Sequence, residues 1–170
     1  MLNCFQDKNQ PTESKIDFIS HNGILFVNMI NIQSSTFPTT SPDFYTSLCG
    51  YKLRIHFQLH GTFIDQSAHL SASVTIMRGE YDAQLNWPCD LQFIFSLYDL
   101  RNQNYHLIKS VQSDTNSLCF QKPQTEMNDS YDLSSLIPWT TILQENDLHF
   151  QVMIREEPIP IDILSQIMTV

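Results

Sequence analysis

Apolar and polar residues alternate along four separate segments of the chain, at residues 53–60, 70–76, 91–98 and 148–155. In the first of them, Leu53, Ile55 and Phe57 are separated by Arg54 and His56. A period of two residues places successive side chains on opposite faces of a strand, so each segment predicts a half-buried strand. Because antiparallel sheets commonly have one packed face and one solvated face, the pattern favours an antiparallel sheet.

Other segments extend this prediction. The apolar run at residues 24–27 follows the turn signal Asn22-Gly23 and predicts a buried strand. Shorter candidates at residues 117–120 and 133–136 bring the total to about seven or eight strands, the size of a two-sheet β-sandwich. The sequence therefore predicts an all-β, antiparallel two-sheet sandwich.

The same patterns divide the chain into three parts. Residues 1–21 are polar and irregular and contain no heptad pattern, so we expect a tail that forms no coiled coil. Residues 22–155 carry all the predicted strands and form one domain, as expected for a chain of 170 residues. Residues 156–170 form a C-terminal extension, which begins extended because of Pro158 and Pro160.

Charge and composition narrow the class of function. The formal net charge of −9 has the wrong sign for binding a phosphate backbone, so nucleic acid is not expected as a partner. No apolar run reaches the roughly 18 residues of a membrane span, and the N-terminus lacks a secretory signal, so we expect a cytoplasmic protein without membrane insertion. Cys4, Cys49, Cys89 and Cys119 form no C-x-x-C pair and are expected to be reduced, buried thiols.

Candidate catalytic chemistry is sparse. His56 and His60 share a strand face but lie about 13 Å apart at about 3.3 Å per residue, too far to hold one ion. The other candidates, His69, His106 and His149, are isolated along the sequence. Nucleophile-elbow, zinc-protease, Walker and dinucleotide motifs are missing, and only Glu80 and Asp82 suggest paired carboxylates. We therefore predict no metal, no cofactor and no enzymatic activity.

Several sequence blocks carry a family resemblance. They are 22–25 (N-G-I-L), 41–52 (S-P-D-F-Y-T-S-L-C-G-Y-K), 69–71 (H-L-S), 76–83 (I-M-R-G-E-Y-D-A), 87–88 (W-P), 120–123 (F-Q-K-P) and 126–128 (E-M-N). Together with the segment 145–147 before the last strand, they resemble the C-terminal (TRAF-C, or MATH) domain of tumour-necrosis-factor-receptor-associated factors. The resemblance spans about residues 22–155 and implies an eight-stranded antiparallel sandwich.

The resemblance also implies a function. Such domains are signalling adaptors that bind short extended peptides from receptor tails, by strand addition and side-chain pockets, and an upstream coiled coil makes them trimeric. Implied partners are receptor tails, signalling adaptors, other TRAF proteins and a homotrimer. Matched to the family's motif, the peptide-binding positions are His56, Gln58, Thr62, Ser73, Phe95, Val111, Ser117, Leu118, Cys119, Phe120 and Leu133.

Several of these positions depart from the family pattern. His56, Gln58 and Thr62 stand where the family has arginine, tyrosine and aspartate, and one of three serines remains, at Ser117. An arginine offers a permanent charge to a carboxylate, whereas histidine at its ordinary pKa is largely neutral at pH 7, so an acidic peptide should bind weakly. Two alternatives stay open: the groove takes another, more apolar peptide, or it is unused and the domain self-associates or joins related TRAF proteins as a partner or decoy.

Overall fold

The structure is a computed structural model, and it describes residues 15–32, 36–61, 68–99, 104–138, 140–141, 147–160 and 162–163. These residues form ten strands in two antiparallel sheets. The strands are β1 (Lys15–His21), β2 (Ile24–Ile30), β3 (Thr39–Thr40), β4 (Phe44–Tyr45), β5 (Lys52–His60), β6 (His69–Met77), β7 (Gln92–Asp99), β8 (Asn104–Gln112), β9 (Tyr131–Pro138) and β10 (Leu148–Arg155).

The two sheets pack face to face as a β-sandwich. The first sheet has the order β1-β2-β10-β7-β8, and the second has the order β3-β5-β6-β9, with β4 also paired to β5. The alternating apolar residues of the two inner faces interdigitate in one core, which contains Val27, Ile55, Val74, Phe93 and Val152. The all-β antiparallel sandwich predicted from the alternation is therefore confirmed, and each of the four alternating segments is a strand.

The N-terminal part of the chain differs from the prediction. Residues 15–21 were expected to belong to a polar tail, but they form β1, which pairs with β2 along its whole length. Asn22 and Gly23 both have positive φ, 43° and 74°, as a two-residue hairpin turn requires. Phe18 faces inward and stacks on Phe57, with ring centroids 6.1 Å apart. The turn at Asn22-Gly23 is therefore a hairpin turn that joins β1 to β2.

Two strands are more buried than alternation alone predicts. In β6, which lies between β5 and β9, the polar residues Ser71, Ser73 and Thr75 are buried along with the apolar ones. In β7 the side-chain amide of Gln92 donates to the carbonyl of Ile159 and accepts from its N–H, both at 2.8 Å. The start of the C-terminal extension therefore docks beside β7.

One predicted strand is instead a single helical turn. Residues Leu118–Phe120 form a 3₁₀ helix, with Ser117 as its N-cap. The Ser117 hydroxyl accepts a hydrogen bond from the Cys119 N–H at 3.2 Å, and the Ser117 N–H donates to the Asp114 carbonyl. These local hydrogen bonds compete with a sheet ladder and favour a turn. The other short candidate, at residues 133–136, lies in β9 as predicted.

The cysteines are only partly as expected. Free thiols are present at Cys49, Cys89 and Cys119. Cys49 is exposed and Cys119 is half-buried, so of these three only Cys89 is buried as predicted. Burial raises the pKa of the Cys89 thiol to about 12, which keeps it protonated. Cys4 lies outside the described residues.

Candidate functional site

The predicted residues of the middle strands share the outer face of the second sheet. His56 and Gln58 lie on the outward side of β5, and His56 pairs with Ser73 of β6. The position of Thr62 lies outside the described residues. Alternation along β5 buries Leu53, Ile55 and Phe57 inward and leaves the intervening polar side chains on this outer face.

A chain of hydrogen bonds crosses this face at His56. The ring Nδ1 lies 3.0 Å from Thr40 Oγ1, and Nε2 lies 3.0 Å from Thr75 Oγ1. Thr75 Oγ1 lies in turn 2.7 Å from Ser130 Oγ. The chain therefore joins β3, β5, β6 and the residue before β9, and it holds the imidazole ring in one orientation. The sequence did not predict a role at this site for Thr40, Thr75 or Ser130. Each of them contacts its partner only because different strands are paired in the sheet.

The electrostatics of His56 favour its neutral form. Burial lowers its pKa from the ordinary value of 6.5, and the nearby Arg54 guanidinium lowers it further. A neutral imidazole can donate at one nitrogen and accept at the other, which fits two hydroxyl partners. At His56 the outer face thus presents a neutral polar side chain.

The lowered pKa of His56 makes stability depend on pH in a stated direction. Above about pH 6.5 the imidazole is neutral in both the folded and unfolded chain, and its full contribution is present. As the pH falls toward the lower folded pKa, the unfolded chain binds the proton first, and stability is lost. The free energy of unfolding, measured with urea, should fall between pH 7 and pH 5. We expect this fall to be smaller in His56→Gln than in the wild type. An unchanged pH dependence in this variant would contradict the assignment.

The basic side chains beside His56 are already paired. Arg54 Nη2 and Lys52 Nζ lie 2.6 and 3.1 Å from the two carboxylate oxygens of Asp43. Burial opposes ionisation of Asp43, but the hydrogen bonds and charges of Lys52 and Arg54 outweigh it and lower the pKa of its carboxyl. This arrangement fixes both cations next to the site, and Asp43 offsets part of their charge.

The predicted apolar pocket is not an open pocket. Phe95, Phe120 and Leu133 are 0% exposed and belong to the core between the sheets, while Val111 is partly buried against it. The Phe120 ring lies 4.8 Å from the Tyr131 ring and 6.4 Å from the Phe93 ring, measured between centroids. In this conformation Phe95, Phe120 and Leu133 support the site from below and offer a peptide no accessible surface.

The 3₁₀ turn that follows Ser117 does present accessible groups. Leu118 is 83% exposed, which is high for a leucine, and Cys119 is half-buried. The Ser117 hydroxyl is engaged as a cap within its own turn. Of the three predicted residues here, Leu118 is therefore the one with the largest accessible apolar side chain.

A cleft of about 340 Å³ lies beside this turn. Asn128 lines this cleft, and its side-chain amide donates hydrogen bonds to the backbone carbonyls of Cys119 and Gln121 at 2.9 and 2.7 Å. Met127, 51% exposed, lines it together with Leu118. Asp129 also lines the cleft and directly precedes Ser130, the end of the hydrogen-bond chain at His56. Residues 129 and 130 therefore link the cleft to the end of the hydrogen-bond chain through consecutive positions of the backbone.

The candidate acid pair has a structural explanation. Asp82 is buried and its Oδ2 accepts a hydrogen bond from the Gly79 N–H at 3.0 Å, which closes a turn. Glu80 is exposed on the same turn. Among the described residues no group of three or more potential metal ligands is present. No helix in the described part of the chain is long and apolar enough to span a membrane.

Comparison with known families assigns the class of protein. The sequence model of the family described as TRAF/meprin, MATH domain matches residues 36–154. This range contains β3 to β10 except for the last residue of β10, and it includes both the His56 face and the cleft. The chain belongs to the TRAF/meprin MATH domain family, and it is accordingly a TRAF-like protein-interaction domain.

Individual relatives agree with this assignment. TNF receptor-associated factor 1 of Mus musculus is 44% identical over 88 residues, which cover 52% of this chain and 21% of the relative. TNF receptor-associated factor 5 of Mus musculus is 35% identical over 97 residues, which cover 57% of this chain and 17% of the relative. The chain thus spans about a fifth of the length of the curated relatives it matches.

A solved structure shares the fold. The chain described as Notothenia coriiceps TRAF5 superimposes with a TM-score of 0.65 at 24% sequence identity, covering 82% of this chain and 76% of that one. At this identity the comparison supports the sandwich fold and carries no information on ligands.

Proposed function

We propose that this domain is a signalling adaptor that binds a short, extended peptide across the His56 face and into the cleft beside Leu118. The observation that supports the proposal is that Asp129, which lines the cleft, directly precedes Ser130, the end of the hydrogen-bond chain at His56. A polar strip together with a cleft that Leu118 and Met127 line among polar side chains suits an extended segment, whose backbone bonds to polar groups while one side chain enters the cleft.

The chemistry of the surface suggests the chemistry of the peptide. His56 is held neutral and the chain carries a net charge of −9, so acidic peptides gain little at this face. Leu118 and Met127 at the cleft offer apolar contact. We therefore propose a neutral peptide with hydroxyl or amide side chains and one aliphatic or aromatic anchor. Its source would be a cytoplasmic receptor tail or another signalling adaptor.

Replacement of Leu118 by Asp tests the cleft. Because Leu118 is largely exposed, the substitution should change stability by less than about 0.5 kcal/mol. If Leu118 is an anchor contact, the dissociation constant for a neutral receptor-tail peptide should rise about tenfold or more, the usual effect of losing an important interface residue. Fluorescence anisotropy with labelled peptides, with and without the apolar anchor, measures this change.

Leu48→Asp is the matched control. Leu48 is 85% exposed, but it lies in the turn between β4 and β5 and not at the cleft. Equal loss of affinity in both variants would indicate a general charge effect and contradict the proposed anchor. Light scattering on the same samples measures self-association, the second candidate function. Oligomers that form without any peptide binding would favour self-association.

A further inference from the structure

The outer face of the second sheet brings two histidines together at the far end of the β5–β6 hairpin. His60 is the last residue of β5 and His69 the first of β6, and the two are cross-strand partners. Their ring centroids are 5.9 Å apart. The sequence spacing suggested that His69 was isolated and that His60 could be paired only with the distant His56. Strand pairing supplies the nearer neighbour instead.

This separation matches what a shared metal ion requires. With zinc about 2.0–2.1 Å from each nitrogen and a nitrogen about 1.2 Å from its ring centroid, two imidazoles on a tetrahedral ion have centroids about 5.2 Å apart. The value rises to about 6.4 Å when the rings stand on opposite sides of the ion. The observed 5.9 Å lies between these limits. The rings are stacked, with 26° between their planes, and a rotation about χ2, whose preferences are broad, turns one nitrogen of each ring toward a shared ion.

We propose that His60 and His69 together bind one divalent transition-metal ion, with zinc as the representative ion. Imidazole nitrogen is a preferred ligand of zinc, copper and nickel, and directly opposed residues of an antiparallel pair hold their Cβ atoms about 4.5–5.5 Å apart. One nitrogen of each ring serves as the ligand. A hydrogen bond at the other nitrogen orients a metal-bound imidazole ring.

The surroundings are compatible with an ion that enters from solvent. His60 is exposed and His69 is half-buried, so the pair lies at the surface of the sheet. The next outward pair, Gln58 and Ser71, is uncharged. The net charge of −9 attracts cations to the whole domain. Two protein ligands leave coordination positions open to water or to a group of a partner.

Isothermal titration of the full chain with zinc chloride tests this site. We expect one saturable binding event per chain, and His60→Gln or His69→Gln should raise the dissociation constant by more than about tenfold, since even outer-shell changes cost that much. Because His60 is exposed, its variant should unfold at the same temperature as the wild type in the absence of zinc. It therefore tests the site even if His69→Gln fails to fold.

Two control variants separate this site from other zinc ligands. His21→Gln removes an exposed histidine at the end of β1, and Cys49→Ser removes the exposed thiol. Both should bind zinc as the wild type does. The proposal is overturned if Cys49→Ser abolishes binding, if His60→Gln leaves it unchanged, or if the wild-type chain shows no saturable event. With copper added instead, electron paramagnetic resonance should show hyperfine coupling to two nitrogens, and coupling to one would also overturn the proposal.

Discussion

Replacement of Phe120 by Ala is expected to lower the free energy of unfolding by about 3–5 kcal/mol, the usual cost of removing a buried phenylalanine ring. Phe120 is 0% exposed, and its ring packs against those of Tyr131 and Phe93. The backbone around it cannot close the space easily, because the Phe120 carbonyl accepts a hydrogen bond from the Cys89 N–H. Urea unfolding followed by circular dichroism measures the change.

Phe120→Leu is the conservative comparison, since it keeps most of the apolar volume and should cost clearly less. A loss below about 1 kcal/mol in Phe120→Ala would contradict the burial of this ring. The result also bears on how binding data are interpreted. Because Phe120 supports the cleft from the core, weaker peptide binding by Phe120→Ala would reflect a damaged fold, whereas weaker binding by Leu118→Asp would reflect a lost contact.

Replacement of Gly23 by Ala is expected to lower the free energy of unfolding by about 2–5 kcal/mol, because a left-handed residue and an overpacked side chain each carry a cost. Gly23 has φ of +74°, and an added Cβ would lie 2.5 Å from the Thr46 carbonyl oxygen and 3.0 Å from that of Ile154. Both obstacles are backbone atoms. The Gly23 carbonyl also accepts from the Ile154 N–H at 2.7 Å, which ties the β1–β2 turn to the end of β10.

Gly79→Ala provides the matched control for this glycine. An added Cβ there would lie 3.0 Å from Asp82 Oδ1 and 3.2 Å from Lys52 Cβ, both side-chain atoms, and Gly79 does not have positive φ. Its cost should therefore be clearly smaller, as thermal and urea unfolding of the two variants would show. Equal losses would indicate that the left-handed turn at Gly23 is not the dominant constraint.

The His56 face bears on the specificity of the proposed peptide binding. The resemblance implies an arginine at this position in related domains, and here a neutral imidazole stands beside cations that Asp43 already engages. A permanent planar cation is thus replaced by a ring held between two hydroxyl groups. We expect the preferred peptides to differ in charge from those that an arginine would select.

Much of the fold could be predicted from the chain itself. The alternation at residues 53–60 and 148–155 identified β5 and β10, and the family blocks identified the sandwich and the class of protein. The first strand was missed because residues 15–21 include Lys15, Asp17 and Ser20, which dilute the apolar signal on an edge strand. The short run at residues 117–120 was misassigned because the cap at Ser117 makes a turn from residues that would also suit a strand.

The candidate site was harder to predict than the fold. The family motif located His56, Gln58 and Ser73 on one surface, and the structure places them on the outer face of the second sheet. The family motif did not show that the side chains of Phe95, Phe120 and Leu133 are buried, because apolar residues of a core and of an open pocket look alike in sequence. The family blocks contained Met127 and Asn128 but did not indicate that they line the cleft, because that role depends on the path of a loop.

The sequence by itself determined the net charge, the resemblance to the family and two properties that depend on near neighbours: the two-residue period of the strands and the turn at Asn22-Gly23. Covalent geometry and local sterics set the strand period and the turn within a few residues. Only the tertiary structure decided that His56 bridges Thr40 and Thr75, that His60 meets His69, and that Leu118 and Met127 line one cleft. Those neighbours come from different strands or loops, and the register and packing of the two sheets bring them together.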